Sequence, residues 1–392
     1  MIKDKNIICF GFAEWDNPYK TNQHRLMFLF SKTNRVLFVE SIGLRRPVFQ
    51  KKDIKRIISR LVKWFKGIRR LNENLFILSP LVLPFHKYKF IRYINKLLLF
   101  IQLKQAIIAL NFKNPIIWSY IPNANEFIGK LNESLSLYHC VDDISANPLV
   151  DKNSFIENEN KLLSSVDIVV TTSKHLFSEK SKLNTNTHYL PNVADFYHFN
   201  KSILQTTKIP QDIEKIKTPI LGFFGAISNY KIDFDLLSYL ATRNANWNIV
   251  LIGDTGEGEK KIDTNTFNNN KNIYFLGPKS YELLPSYLKA FNVCLLPNRI
   301  NQYTKNMFPL KFFEYLSSGK AIVSTNLDAI ADFSNLCYIS ESYESFECNI
   351  KLALNENSAS DIINKRIKTA RNNTWEKRAE EFSELIIKYA RK

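Results

Sequence analysis

The sequence predicts an α/β protein made of two tandem Rossmann-like domains, each with a mostly parallel β-sheet. Three observations favour this fold. The chain has 392 residues, which is typical of two domains of ordinary size. Short apolar runs alternate with helical segments along most of its length. These runs are continuous rather than alternating, as strands of a parallel sheet covered on both faces should be.

The predicted strands fall into two groups, separated by a polar linker at residues 200–218. The first domain covers residues 1–199, with strands predicted at residues 6–12, 35–40, 74–80, 115–121, 135–141, 167–172 and 187–190. The second domain covers residues 219–373, with strands predicted at residues 219–225, 248–253, 272–276, 293–296, 321–325 and 337–339. Ligands of such sheets bind beyond the carboxyl ends of the strands, so site residues should follow the strands.

The N-terminal half is strongly basic. Of the formal charge of +17, residues 1–200 contribute 29 Lys and Arg against 16 Asp and Glu. Two segments, 51–70 and 87–110, combine basic residues with Ile, Phe, Tyr and Trp at helical spacing, which predicts helices that face an anionic membrane surface. Two other interpretations stay open. The apolar faces belong to the core beneath solvated lysines, or the basic patch binds nucleic acid, although no recognition motif accompanies it.

Other features exclude several classes of protein. The five cysteines are scattered without a CxxC pair, which fits free thiols in a reducing cytoplasm. The N-terminus lacks the pattern of a signal peptide, and no apolar stretch reaches ~18 residues, so no membrane span is predicted. No metal-ligand spacing, Walker A or GxSxG motif is present in the sequence.

One segment predicts a short helix followed by a strand: NMFPLKFFEYLSSGKAIVST, residues 306–325. Pro309 suits the first helical position, and Gly319 suits the left-handed position after the helix end. Lys311 and Glu314 lie three residues apart and therefore share a face of the helix. Together they can hold a phosphate and a diol, or they form an ordinary surface ion pair.

Three motifs follow one another along the chain: DIVVTTSKHLFSEK…HYLPNVADFYHF (167–199), GFFGAISNYKIDFDLL (222–237) and LLPN…PLKFFEYLSSGKAIVST (295–325). In this order they resemble GT-B glycosyltransferases of the family 4 type, including those of bacterial cell-surface polysaccharide and teichuronic acid synthesis. The resemblance covers nearly the whole chain. It implies a GT-B fold, in which two domains face a cleft and a C-terminal helix, residues 374–392, crosses back to the first domain.

The resemblance also implies a nucleotide-sugar site in the second domain. Glu314 matches the carboxylate that accepts hydrogen bonds from the two ribose hydroxyls, and Lys311 lies one turn earlier, near the diphosphate. Lys231 falls six residues after Gly225, at the position of the family's phosphate-binding lysine. The remaining donor-binding candidates are Gly277 and Pro278, which flank the base beside Leu276, and Pro309 and Leu310 at the start of the helix.

Two positions depart from the family's pattern. Ala226 stands where the family often has an arginine, and Asn306 stands where a carboxylate helps to hold the hexose. We hypothesise that the charge of Lys311 replaces that of the missing arginine. The motif therefore predicts nucleotide binding but not which sugar is bound.

The resemblance places the acceptor, with any acid–base group, in the first domain. Asp142 and Asp143 follow the predicted strand 135–141, where one of them is expected to orient or deprotonate the acceptor hydroxyl; otherwise they cap the backbone that follows. His139 lies inside that strand, either in the acceptor site or packed in the core. The loop after the first strand provides the other acceptor candidates: Gly11, Trp15, Asp16, Asn17, Gln23 and His24.

The resemblance thus implies an enzyme that transfers a sugar from a nucleotide-diphosphate donor to a lipid-linked saccharide, on the cytoplasmic, inner face of the plasma membrane. It implies no cofactor and no metal, because GT-B enzymes neutralise the leaving diphosphate with lysines and helix ends. Retention of the anomeric configuration is favoured. Two alternatives stay open: a nucleotide-sugar epimerase on the same scaffold, and a non-catalytic protein that binds a nucleotide sugar or a saccharide.

Overall fold

The computed structural model describes residues 1–17, 20–41, 64, 67–83, 89–146, 150–255, 270–356 and 361–390. The chain forms two compact units, residues 1–191 with 378–392, and residues 192–377. Each of the thirteen predicted strands is confirmed, and the described residues contain one further strand of two residues.

The first unit is built on an eight-stranded sheet within the described residues. Its strands are β1 (Asn6–Phe10), β2 (Arg35–Val39), β3 (Arg69–Arg70), β4 (Leu75–Leu78), β5 (Ile116–Ser119), β6 (Leu135–Cys140), β7 (Ile168–Thr171) and β8 (Thr187–Tyr189). The spatial order is β3-β4-β2-β1-β5-β6-β7-β8. Only the β3–β4 pair is antiparallel among these described strands.

Helices connect these strands and cover the sheet. They are α1 (Asn22–Phe30), α2 (Lys89–Ala109), α3 (Lys152–Ser165) and α4 (Lys174–Lys180). Strand β1 illustrates why the apolar runs are continuous, because Ile7, Ile8, Cys9 and Phe10 are each at most 1% exposed. A strand covered on both faces must be apolar at every position.

The second unit has a six-stranded sheet in which each described pair of neighbours is parallel. Its strands are β9 (Ile220–Phe224), β10 (Asn248–Ile252), β11 (Ile273–Gly277), β12 (Val293–Leu296), β13 (Ala321–Thr325) and β14 (Tyr338–Ser340). Its helices are α5 (Phe196–Phe199), α6 (Gln211–Glu214), α7 (Phe234–Arg243), α8 (Leu284–Ala290), α9 (Gln302–Lys305), α10 (Leu310–Leu316), α11 (Tyr343–Leu354) and α12 (Asp361–Asn372). The spatial order is β11-β10-β9-β12-β13-β14.

The strand order of the second unit reverses at β9. The chain places β10 and β11 on one side of β9 and then β12, β13 and β14 on the other. Ligands of open α/β sheets bind at such a switch point, outside the carboxyl ends of the strands. The loops after β9 and β12 are therefore the first place to look for a site.

The last helix, α13 (Trp375–Tyr389), begins in the second unit and ends in the first, as predicted. Residues 378–392 group with the first unit, where the ring of Phe382 lies 4.6 Å from that of Trp118. This contact anchors the returning helix in the aromatic core of the first unit.

The segment 200–218, predicted as a linker, packs with the second unit together with residues 192–199. Ile213 is fully buried and Ile216 is 9% exposed. The Asp212 carboxylate forms an ion pair with Lys279 at 2.7 Å. A few apolar side chains thus fix a segment whose overall polarity suggested a free linker, and the first unit ends at Pro191 rather than at residue 199.

The two predicted basic helices have different outcomes. Most of the segment 51–70 lies outside the described residues. The prediction that its helix continues to residue 70 is wrong. Gly67 has a φ of +67°, and Arg69–Arg70 form β3, which pairs with β4. The segment 87–110 is confirmed as a helix over α2, although residues 87 and 88 lie outside the described part of the chain. None of the helices in the described ranges is long and apolar enough to span a bilayer.

Candidate functional site

Three glycines lie at the carboxyl ends of three neighbouring strands of the second unit. Gly225, Gly253 and Gly277 have φ values of +139°, +153° and +68°. A Cβ atom on Gly253 would lie 1.8 Å from the carbonyl oxygen of Gly225, and the Gly253 N–H donates to Gly277 O at 3.0 Å. Gly253 thus lets the backbones after β9 and β10 pack closely, whereas a Cβ atom on Gly277 would meet no atom of the described residues within 4 Å and leaves open space there. Sequence reasoning missed Gly253 as a site residue and included it as the last residue of the predicted strand 248–253, whereas the observed strand ends at Ile252.

The side chain of Lys311 lies across Gly225. A Cβ atom on Gly225 would lie 2.0 Å from Lys311 Cε and 2.5 Å from its Nζ, so the lysine occupies the space that any side chain there would need. The Nζ atom is 5.2 Å from the centre of the Phe223 ring. Lys311 therefore carries a positive charge to the end of β9, which helical spacing alone did not predict.

Helix α10 is fixed against β9 by Tyr315. The fully buried Tyr315 hydroxyl accepts the N–H of Phe224 at 3.2 Å, and the two rings lie 4.9 Å apart at 77°. This contact holds Lys311 and Glu314, both half-buried and one turn apart, beside the glycine edge. The predicted helix start is off by one residue, because Pro309 has an extended ψ of 111° and precedes the first helical residue, Leu310.

Lys231 belongs to the loop that follows Gly225. Its N–H donates to Ser228 O at 3.1 Å, and its carbonyl oxygen accepts the N–H of Arg299 at 2.8 Å. The side chain of Asn298 donates to the same carbonyl at 3.3 Å. The loop after β9 is thus bonded to the loop after β12, across the switch point of the sheet.

The other donor candidates line the same sheet or flank it. Pro278 is exposed and follows Gly277 at the end of β11. Ala226, at the position of the family's arginine, is half-buried. Asn306, at the position of the family's carboxylate, is 3% exposed and follows α9. Of the donor candidates, Lys311 thus occupies the space at Gly225, and Lys231 lies in the loop that follows the same strand, β9.

Asp142 and Asp143 form a tight turn that begins two residues after the end of β6. Asp143 Oδ1 accepts a hydrogen bond from Ser145 Oγ at 2.5 Å, and Asp142 O accepts the N–H of Ile144 at 3.0 Å. Both aspartates are half-buried. Both aspartates thus follow the carboxyl end of β6, as expected, and Asp143 also stabilises the turn.

A buried ion pair near this turn was missed by sequence reasoning. Glu159, 5% exposed, accepts hydrogen bonds from Lys180 Nζ and from the hydroxyl of Tyr138, both at 2.7 Å. Burial and the nearby Glu159 charge raise the pKa of the Cys140 thiol. The partners are 21 residues apart along the chain, and no local pattern links them.

His139 lies in the packed core of the first unit. It is 2% exposed, and its ring lies 4.8 Å from Tyr120 and 4.9 Å from Phe382. Burial, with a smaller effect of the Arg378 charge, lowers the pKa of His139 to about 3. The imidazole is therefore neutral at neutral pH and is enclosed by rings.

Six acceptor candidates were predicted in the loop after β1, but Gln23 and His24 lie on helix α1 instead, and Gln23 supports the backbone of the loop. A Cβ atom on Gly11 would lie 2.3 Å from the Phe38 ring, which explains the glycine. Gln23 is fully buried, and its side-chain oxygen accepts the N–H of Phe12 at 3.0 Å.

Trp15, in the loop after β1, packs against His24 of helix α1, with ring centres 5.3 Å apart. Trp15 is 9% exposed, and its backbone N–H donates to Glu40 at 2.7 Å. Burial lowers the pKa of His24 to about 4, against the opposing effect of a hydrogen bond to Glu14 O. These two rings therefore fix the loop.

Asp16 and Asn17 lie at the outer side of this loop. The Asp16 carboxylate pairs with Arg69 at 2.9 Å, and about half of its side chain is exposed. The Asn17 N–H donates to Glu14 O at 3.1 Å and closes the turn. Of these six acceptor candidates, Asp16 is the one with an exposed charge.

Comparison with known proteins gives a consistent picture. Residues 218–347 match the family model described as glycosyl transferases group 1. A Bacillus subtilis protein, TuaH, named as a candidate teichuronic acid biosynthesis glycosyltransferase, is 25% identical over 206 residues, which are 49% of this chain and 50% of TuaH. The match thus spans about half the length of this curated relative.

Solved structures resemble nearly the whole chain. The Anabaena HepE protein in complex with UDP-glucose has a TM-score of 0.68 at 12% identity, covering 98% of this chain and 99% of HepE. Trehalose 6-phosphate synthase of Burkholderia multivorans has a TM-score of 0.69 at 11% identity and covers 99% of both chains. Residues 218–347 of the second unit are therefore similar to the glycosyl transferases group 1, and the chain as a whole has the GT-B fold.

Proposed function

We propose that this chain is a glycosyltransferase that moves a sugar from a nucleotide-diphosphate donor to a lipid-linked saccharide. The observation that carries the proposal is the position of Lys311 across Gly225, with Glu314 one turn further along α10. A cation over bare backbone suits a diphosphate, and a carboxylate beside it suits the cis-diol of a ribose. The UDP-glucose in the HepE structure and the name of TuaH support this choice of donor and pathway class.

The proposed roles divide between the two units. Lys311 and Lys231 stabilise the negative charge that develops on the leaving diphosphate, without a metal. Glu314 accepts hydrogen bonds from the ribose, and the backbone around Gly277 flanks the base. Either Asp142 or Asp143 orients or deprotonates the acceptor hydroxyl. By analogy with the family, the sugar keeps its anomeric configuration.

A donor panel tests the proposal. The purified chain is incubated with UDP-, GDP- and dTDP-sugars, with and without EDTA, and the products are separated. We expect one donor to release its nucleoside diphosphate at a rate that EDTA does not change. Conversion of the nucleotide sugar would indicate an epimerase instead, and binding without reaction would indicate a binding protein. Activity lost in EDTA and restored by Mg²⁺ or Mn²⁺ would contradict metal independence.

We also propose that α2 docks the enzyme on the inner face of the plasma membrane, where lipid-linked acceptors lie. Five large apolar side chains of this helix are each at least 45% exposed and recur at helical spacing: Phe90, Tyr93, Leu97, Ile101 and Ile108. The helix also carries four Lys and Arg and no acidic residue. An apolar stripe beside basic side chains is complementary to an anionic bilayer surface.

Glutamates in this stripe should weaken docking. We expect the wild-type chain to co-sediment with vesicles that contain anionic lipid at low salt, and to be released as salt rises. The double variant Leu97→Glu, Ile101→Glu should bind at least about tenfold more weakly, because each apolar side chain contributes about 1.5–3 kcal/mol when buried. Leu352→Glu, at an equally exposed leucine on α11, is the matched control. Equal sedimentation of both variants would contradict the proposal.

A further inference from the structure

Two tyrosine rings lie beside the ammonium group of Lys231. Its Nζ atom lies 5.4 Å from the ring centre of Tyr230 and 5.3 Å from that of Tyr303. The two rings are 5.3 Å apart and nearly perpendicular, at 85°. The cation therefore sits in a corner formed by two aromatic side chains, within the range of a cation–π interaction.

Hydrogen bonds of one asparagine side chain to the backbone fix the relative positions of the two rings. The Asn301 side chain donates to Tyr230 O at 2.6 Å, and the same side chain caps α9 by accepting the N–H of Thr304 at 3.0 Å. Tyr303 lies on this capped turn. One asparagine thus ties the loop that carries Tyr230 and Lys231 to the helix that carries Tyr303.

The second candidate phosphate lysine also has an aromatic neighbour, because Lys311 Nζ lies 5.2 Å from the Phe223 ring centre. A ring attracts an ammonium group without neutralising its charge. Aromatic neighbours therefore suit lysines that must keep their attraction for a phosphate.

We propose that Tyr303 and Tyr230 are positioning residues of the donor site, which hold the Lys231 ammonium where the diphosphate of the donor binds. An ammonium has three N–H donors for phosphate oxygens, and a cation–π contact fixes its position through the face of a ring rather than through an acceptor atom. The inference rests on the proposed nucleotide-diphosphate donor. It assigns these tyrosines an effect on diphosphate affinity that acts only through Lys231.

Calorimetric titration of the full chain tests this assignment. UDP, GDP and dTDP are titrated first, and the tightest binder is used for the variants. Tyr303→Leu should weaken binding about 3- to 10-fold, because the cation–π contact is lost. Tyr303→Phe keeps the ring and should bind like the wild type. Tyr239→Leu is the matched control, since Arg243 lies 5.4 Å from the Tyr239 ring in the same unit.

A double-mutant cycle separates positioning from a general structural role. In a Lys231→Met background, adding Tyr303→Leu should change binding by less than about 2-fold, because the group that it positions is absent. If Tyr303→Leu does not fold, Tyr230→Leu takes its place in the cycle. If Lys231→Met binds the diphosphate weakly but the folded leucine variant binds it like the wild type, the inference about the tyrosines is wrong and the donor proposal stands. Binding of no diphosphate by the wild-type chain would overturn the donor proposal as well.

Discussion

Replacing Lys311 with methionine is expected to lower the rate of sugar transfer about 10²- to 10³-fold, which is the usual cost of removing one group that stabilises transition-state charge. Methionine keeps the apolar stem that lies over Gly225 but removes the charge at the end of β9. The loss should appear mainly in kcat, because the charge on the leaving diphosphate grows as the bond to the sugar breaks. Steady-state kinetics with the donor found in the panel measure it.

A charge-matched control is available on another helix. Lys351→Met removes one positive charge from α11, where Lys351 pairs with Glu347 at 2.7 Å, and should leave kcat unchanged. The idea that Lys311 replaces the family's arginine has its own test. Adding Ala226→Arg to the Lys311→Met variant should recover part of the lost activity. Wild-type turnover by Lys311→Met would show that this lysine has no role in catalysis.

Most of the strands were predictable because burial on both faces makes their sequences largely apolar, as in β1, β5 and β12. Strand β3 was not, since Arg69–Arg70 carry no apolar signal and form a strand only by pairing with Phe76 and Ile77 of β4. The segment 200–218 was misinterpreted for a similar reason. Its average polarity is high, yet Ile213 and Ile216 are buried and fix it to the second unit.

Sequence reasoning named residues for the candidate donor site, but it did not predict how these residues contact one another. Helical spacing placed Lys311 and Glu314 on one face, and the resemblance assigned them ligands. That Lys311 reaches across Gly225 depends on how α10 packs on β9, which Tyr315 decides through a hydrogen bond to a residue 91 positions earlier. Such long-range contacts have no signature in a single sequence. The same holds for the corner that Tyr303 forms around Lys231.

Around the loop after β1, sequence reasoning named acceptor candidates that have a structural role instead. Polar and aromatic residues there look functional, but Gln23 and His24 are buried and satisfy the backbone of the loop itself. A residue type that suits catalysis equally suits a buried hydrogen bond. Only burial distinguishes the two, and burial depends on the packing of the whole unit.

Replacing Glu314 with alanine is expected to weaken binding of the nucleoside diphosphate about 10- to 100-fold, since hydrogen bonds to a charged group contribute about 1.5–3 kcal/mol. The carboxylate is half-buried on α10, one turn from Lys311. Its proposed partners are the two hydroxyls of the ribose, so its effect should depend on their presence. Titration calorimetry with the natural diphosphate measures the loss, and Glu341→Ala, at an exposed carboxylate of the same unit, is the control.

The ligand itself supplies the decisive comparison. A 2′,3′-dideoxynucleoside diphosphate lacks both hydroxyls, so the wild-type chain should bind it about as weakly as Glu314→Ala binds the natural diphosphate. The variant should bind the two ligands about equally, because the group that distinguishes them is gone. If Glu314→Ala still discriminates between them by the wild-type factor, the carboxylate does not contact the ribose. Its effect would then arise from the charge beside Lys311, and the assignment of the diol would have to move to another residue.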